Sequence, residues 1–204
     1  MTKKARIAAL IETIYQDGMY TEQGRDATRE LATLGRPALE ALVDAPERPT
    51  KQHPRDLMES IINAYCEFAK HIPDVLVGFL EAGRIQPWMV YSALGYAQGE
   101  RSRQALLIGL QDSYPIVREQ ALQALIQRRE ESSVPAIIEA LRDRSSSVKS
   151  MVVFAMSERA MFRRPEALPL LERIVSSKSM QRHSPGTVEA AKRVIASIRK
   201  KSGK

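Results

Sequence analysis

In the stretch PIVREQALQALIQRR the apolar residues Val117, Ala121, Leu122, Leu125 and Ile126 recur at steps of three and four. That period places them on one broad face of a helix. The stretch SVPAIIEALRD shows the same period through Val134, Ile137, Ile138 and Leu141. Ser133 is positioned as its N-cap, and Pro135 falls in the first turn, where a missing amide donor costs nothing. Polar and apolar residues do not alternate over any sustained stretch, so no strand is predicted. The chain reads as all-α, built from pairs of short helices.

The pairs repeat. Leu110, Asp112, Val117, Arg118 and Ala124 find counterparts in Leu141, Asp143, Val148, Lys149 and Ala155, each thirty-one residues on. Thirty-one residues back from Ile116, Ala121, Ala124 and Leu125 stand Ile85, Val90, Ala93 and Leu94. An offset of about twenty-nine adds a fourth unit through Ile61, Ala64 and Tyr65. The segments GRDATRELATLG and SPGTVEAAKRVIASI follow the pattern more loosely. One such pair cannot bury its apolar stripe, whereas stacked neighbours bury one continuous core. The expectation is therefore an α-solenoid of about six helix pairs, forming one domain over residues 1–204. Residues 1–54 would be divergent N-terminal capping repeats and 55–175 the clear repeats. Residues 176–204 would be a loop and a capping helix with a basic tail.

The run Leu110, Asp112, Val117, Arg118, Ala121, Ala124 and Leu125, echoed by Leu141, Asp143, Val148 and Lys149, resembles the HEAT-like repeat of the phycobilisome-lyase type. The resemblance implies a HEAT or armadillo-like superhelix, and it implies that the Asp and Arg fix the turns between helices. It also implies that the second helices line a concave side. HEAT-like arrays serve as scaffolds, inhibitors, lyases and DNA-repair enzymes, so function must come from a site rather than from the fold.

On the second helices, the positions left outside the core stripe form one register. It comprises Ser60, Asn63 and Glu67; Met89, Ser92 and Tyr96; Gln120, Gln123 and Gln127; and Met151, Phe154 and Glu158. Met and aromatic side chains beside amides suit a protein or peptide partner. The competing reading is that Met151 and Phe154 pack into the neighbouring repeat. Two connections are long, DAPERPTKQHP and SSKSMQRHSPGT, and both are expected to be loops on one edge, carrying His53 and His183.

Charge modifies this picture. Residues 1–100 hold 11 Lys and Arg against 14 Asp and Glu, a net of −3, and residues 101–204 hold 20 against 10, a net of +10. Arg101, Arg103, Arg128, Arg129, Arg159, Arg163 and Arg164 fall in turns that lead from second to first helices. A basic ridge of these residues, extended by the tail Arg199, Lys200, Lys201 and Lys204, is a candidate contact for phosphates or an acidic partner. Glu100, Glu130, Glu131, Glu158 and Glu166 stand among the same arginines, which favours an ion-paired, solvated edge.

Catalytic chemistry finds little support. His53, His71 and His183 are isolated and Cys66 has no second thiol, so no metal set and no cofactor is implied. Cys66 lies between Tyr65 and Phe68 and reads as a small buried hydrophobe. There is no nucleophile elbow and no phosphate-binding glycine loop. Glu59 with Glu67, or Glu119 with Glu158, would matter only at a distance the sequence does not set. The opening MTKKARIAALIETIYQ imitates a signal peptide until Glu12 interrupts it, and reads as an amphipathic helix. With one cysteine and no apolar run of membrane length, a cytoplasmic location is expected. The leading reading is a non-enzymatic scaffold or adaptor that binds a protein or peptide through the concave face. The alternatives are nucleic-acid binding by the basic half, distantly like the HEAT-like DNA glycosylases with Trp88 and Tyr91 as stacking residues, and a lyase-type chromophore-attachment accessory.

Overall fold

The computed structural model describes residues 1–45 and 53–202; among them are thirteen α-helices, four single-turn 3-10 helices and no strand. The chain divides into two compact units, Met1–Leu106 and Leu107–Lys204.

The first unit contains α1 (Lys3–Asp17), α2 (Glu22–Thr33), α3 (Arg36–Val43), α4 (Pro54–His71), α5 (Pro73–Glu81) and α6 (Pro87–Leu94). A further helix, α7 (Glu100–Gly109), spans the boundary. The opening apolar run is α1, as expected, with Ile7, Ile11 and Ile14 buried on one face. Thr2 caps it by accepting from the Ala5 amide, and Thr21 caps α2 by accepting from Gly24. α1 packs on α2, α2 on α4, and α4 on α6. Leu31, Leu39, Phe68, Leu76 and Leu94 are fully enclosed.

Gly24 sets how closely the first two helices approach. A Cβ at that position would overlap the backbone carbonyl of Gly18, which ends α1 at φ 66°. Helix propensity favours alanine over glycine by about 1 kcal/mol. Here the steric cost of overpacking, about 1–3 kcal/mol or more, exceeds it because the obstacle is backbone. Gly24→Ala is therefore expected to destabilise, measured as a lower midpoint in urea; an unchanged or higher midpoint would show that α1 and α2 are not this close.

The second unit contains α8 (Pro115–Arg128), α9 (Val134–Glu139), α10 (Ser146–Glu158), α11 (Leu168–Ser176), α12 (Lys178–His183) and α13 (Pro185–Ser202). α8 buries Val117, Ala121, Leu122, Ala124 and Leu125, and α10 buries Val148, Val152, Val153, Ala155 and Met156. The repeat register holds, because all five positions match across thirty-one residues: Val117 with Val148, Ala121 with Val152, Leu122 with Val153, Ala124 with Ala155, and Leu125 with Met156.

Three local expectations are corrected. Ser133 does not cap α9: it ends a 3-10 turn, Glu131–Ser133, and its hydroxyl is buried without a hydrogen-bond partner. The preceding turn already supplies the entry into α9, with the Ser133 amide donating to the Glu130 carbonyl. The connection SSKSMQRHSPGT is not an open loop, since it holds α12, capped by Ser177 and anchored by the buried Met180. His183 is thus in a helical turn. His53 is the N-cap of α4, its Nδ1 accepting from the Arg55 amide at 3.3 Å, while the rest of the first long connection, Pro46 to Gln52, lies outside the described residues.

Candidate functional site

A buried ion pair joins consecutive repeats of the second unit. The Arg118 guanidinium donates to both Asp143 oxygens, at 2.7 and 2.8 Å, and to the carbonyls of Asp112 and Ser113 at 2.9 and 3.1 Å. Asp143 also accepts from the Ser145 amide at 2.6 Å, and Asp112 from the Tyr114 amide at 2.8 Å. The two aspartates thus form the same turn thirty-one residues apart, and Arg118 ties one turn to the next. Only 4% of the Arg118 side chain is exposed. Burial by itself would raise the Asp143 carboxyl. The Arg118 and Ser145 hydrogen bonds and the charges of Arg118 and Arg144 outweigh it and hold the group below its ordinary value. These residues are structural, as the resemblance implied. Lys149 stands where the next Arg would be, with no aspartate thirty-one residues beyond Asp143, where Ile174 is found.

The neighbouring helices α8 and α10 turn one face away from that core. Gln120 and Gln127 are half-buried and Gln123 exposed on α8; Met151 is half-buried, and Phe154 and Glu158 are exposed on α10. Steps of three and four align each trio along its helix, and the repeat offset pairs Gln120 with Met151, Gln123 with Phe154 and Gln127 with Glu158. Phe154 retains 46% exposure, so its ring is not packed into a neighbouring repeat. In the first unit Met89 and Ser92 are half-buried. Tyr96 follows α6 with 47% exposure, and the Lys70 ammonium lies 5.5 Å from its ring. Ser60 does not belong to an exposed face: it is buried, donating to the Asp56 carbonyl and accepting from the Met19 amide.

The arginine ridge is largely spent on structure. Only 2% of the Arg128 side chain is exposed, with its guanidinium on Glu130 at 2.9 Å. Arg159 donates to the Ile126 carbonyl near the end of α8 at 2.6 Å. Arg163 donates to Met156 at 2.6 Å and to Ser157 near the end of α10, and reaches Ser197 of α13. Helix C-termini leave carbonyls unsatisfied and carry partial negative charge, so arginines in these turns stabilise by meeting them. Arg101 pairs with Glu81 at 2.6 Å, Arg103 with Glu100, and Arg164 with Glu131. Arg129 alone of the seven is exposed with no such contact, in a left-handed conformation at φ 56° that ends α8.

Other candidate groups are similarly occupied. Glu59 accepts from Tyr20 and Arg55, and Glu67 from Lys70. Burial pushes the half-buried Cys66 thiol up to about 11, far from a reactive thiolate. Tyr91 is buried and offers no face for stacking a base. Among the described residues no three His, Cys, Asp or Glu side chains converge as a metal set would, and no helix is long and apolar enough to cross a membrane.

Ile108 and Tyr114, which the sequence pattern did not single out, also face solvent, as does Ile116, matched in sequence to the buried Ile85; all three are at least half exposed around the turn into α8. Their equivalents thirty-one residues on are Glu139, Ser145 and Ser147, so the departure from repeat register was the available signal.

Helix pairs at a thirty-one-residue interval, a shared inter-helix turn and a conserved core register within one chain define an all-α helical-repeat protein of the solenoid class. Residues 89–184 match the family model of the HEAT repeats, and this part of the chain is similar to that repeat fold. The match is to HEAT repeats in general and does not distinguish the phycobilisome-lyase type. No curated protein matches the chain.

Proposed function

We propose that the second unit is a protein-docking module, acting as a scaffold or adaptor, whose contact surface is the outward face of α8 and α10. The observation that supports this reading is Phe154. An aromatic ring nearly half exposed, beside Met151 and a row of three glutamines, with Glu158 the one carboxylate among these six positions, supplies an apolar anchor within a polar surround. Such anchors contribute a large share of binding energy at protein interfaces, and the neighbouring amides set orientation through hydrogen bonds. Repeat proteins present extended faces of this kind. Position 123, the equivalent of 154 in the preceding repeat, is glutamine, so the fold does not require an aromatic there. In the first unit Met89, Ser92 and Tyr96 offer a second, smaller surface of similar chemistry.

The double variant Met151→Ser, Phe154→Ser tests the proposal. It is expected to weaken binding to a protein captured from the native host at least about tenfold, equivalent to about 1.4 kcal/mol, while helicity stays at the wild-type level. Unchanged capture with unchanged helicity would contradict the assignment of this face.

A further inference from the structure

The end of the second unit carries a positive surface that includes the tail residues Arg199, Lys200 and Lys201 but none of the seven turn arginines. From Glu172 to Lys201 there are eight Lys and Arg against two Glu. Both carboxylates are engaged, Glu172 with Arg199 and Glu189 with Lys192, each at 2.7 Å. Arg173, Lys178, Arg182, Arg193, Lys200 and Lys201 are exposed and form no ion pair with any described residue. Arg193 lies close enough to Glu189 to help Lys192 hold that carboxyl below its ordinary value. The charges have a regular placement on α13. Seven residues is nearly two turns, so Arg193 and Lys200 share one stripe about 10 Å apart, flanked by Lys192 and Arg199 at the same spacing. Val188, Ala191, Val194, Ile195 and Ile198 hold the opposite side in the core. α12, packed against α13, adds Lys178 and Arg182 one turn apart.

Two simpler explanations account for part of this. Cations in the last helical turn are favoured by the helix dipole, which covers Arg173, Arg182, Arg199, Lys200 and Lys201. A terminal repeat needs a polar outer face for solubility, which either sign of charge would supply. Neither explains Arg193 and Lys178, nor why nearly all the charge has one sign.

We propose that this surface of α12 and α13 binds the phosphate backbone of a nucleic-acid duplex, without reading its sequence. The sign and spacing of the charges fit a polyanion. The absence of other anchors selects among polyanions: no Phe, Tyr or Trp occurs after Phe162, and no large exposed apolar side chain occurs after Phe154. A protein partner with acidic residues would be expected to meet an aromatic or aliphatic anchor. A single strand would meet stacking rings. A duplex backbone requires neither. This surface is independent of the α8–α10 face, and each stands or falls by a different variant.

The test is fluorescence anisotropy of the full chain with a labelled mixed-sequence DNA duplex of about 20 base pairs. The wild type is expected to bind with an affinity that falls on a log–log salt plot with a slope of about −3 to −5, at about −0.9 per neutralised phosphate. The triple variant R193E, K200E, K201E should lose binding at least about tenfold, the neutral R193Q, K200Q, K201Q should lie between, and both should flatten the slope. Lys3→Glu with Lys4→Glu, also exposed and also lowering the net charge, should leave the duplex affinity within about twofold. Circular dichroism at the wild-type level confirms that the variants are folded. The proposal is overturned by absent wild-type binding at low salt, or by an affinity unaffected by the α13 reversal. It is also overturned by equal loss in the Lys3, Lys4 variant, or by binding to polyglutamate, anionic vesicles or single-stranded DNA as tight as to the duplex.

Discussion

Replacing Arg118 by alanine is expected to destabilise the second unit by about 3–5 kcal/mol, the usual cost of removing one member of a buried ion pair. The effect is large because the change does more than delete one interaction. It leaves Asp143, whose side chain is only 11% exposed, without its bidentate donor, frees the Asp112 carbonyl that Arg118 also holds, and leaves the Ser113 carbonyl to Arg144 alone. Of the link between consecutive turns only that Arg144 contact remains. Chemical denaturation of the wild type and the variant checks the magnitude, and pH checks the cause. Asp143 in the folded protein is held below its ordinary value, so its contribution is fully present above the unfolded carboxyl pKa, about 3.9, and is lost as pH falls through the folded value. The stability gap between wild type and Arg118→Ala should therefore be widest near neutrality and narrow below about pH 4. A gap of under about 1 kcal/mol at neutral pH, or one that widens in acid, would show that the pair does not join the repeats.

Leu125→Ala should cost about 2–5 kcal/mol, whereas Gln123→Ala, two residues away on the same helix, should cost under about 0.5. Leu125 is fully enclosed and Gln123 is exposed. The first change leaves a cavity among α8 and its neighbours, and the second removes only solvated atoms. Equal shifts in the melting midpoint of the two variants would mean that α8 is rotated from the orientation described.

The core of these repeats was readable because burial imposes the helical period on every copy, and the copies check one another. Val117 and Val148, or Ala124 and Ala155, are placed by the sequence alone. The Asp112, Arg118 and Asp143 turn was readable for a similar reason, through a repeated motif whose polar residues serve the backbone. That Glu100, Glu130 and Glu131 would pair with neighbouring arginines was readable, but which arginines would be enclosed was not. Arg128 and Arg129 are adjacent in sequence, yet one is enclosed on Glu130 and the other ends its helix facing solvent. What separates them is the position of a left-handed residue and of carbonyls from other helices, and neither leaves a periodic trace. α12 was missed because KSMQRH offers one apolar residue, Met180, to a core contributed by distant segments. Ser133 illustrates a further limit: a residue type favoured at caps was placed correctly at the start of α9, but a 3-10 turn had already supplied the entry and left its hydroxyl buried without a partner. On the outward face the register itself was legible in Gln123, Met151 and Phe154. The exception, Ser60, is explained by the Met19 amide, which comes from a helix connection forty-one residues earlier.

The outward face of α8 and α10 is tested most directly by photo-crosslinking in the native host. A photoreactive benzoylphenylalanine is placed in turn at positions 154, 123 and 172, and extracts are treated with nuclease before analysis. Position 172, normally Glu172, is exposed on α11 and lies away from the proposed surface. A protein-docking function predicts one common protein adduct from positions 154 and 123, resistant to nuclease and absent from position 172. No adduct from 154 and 123, or the same adduct with equal yield from 172, would contradict it.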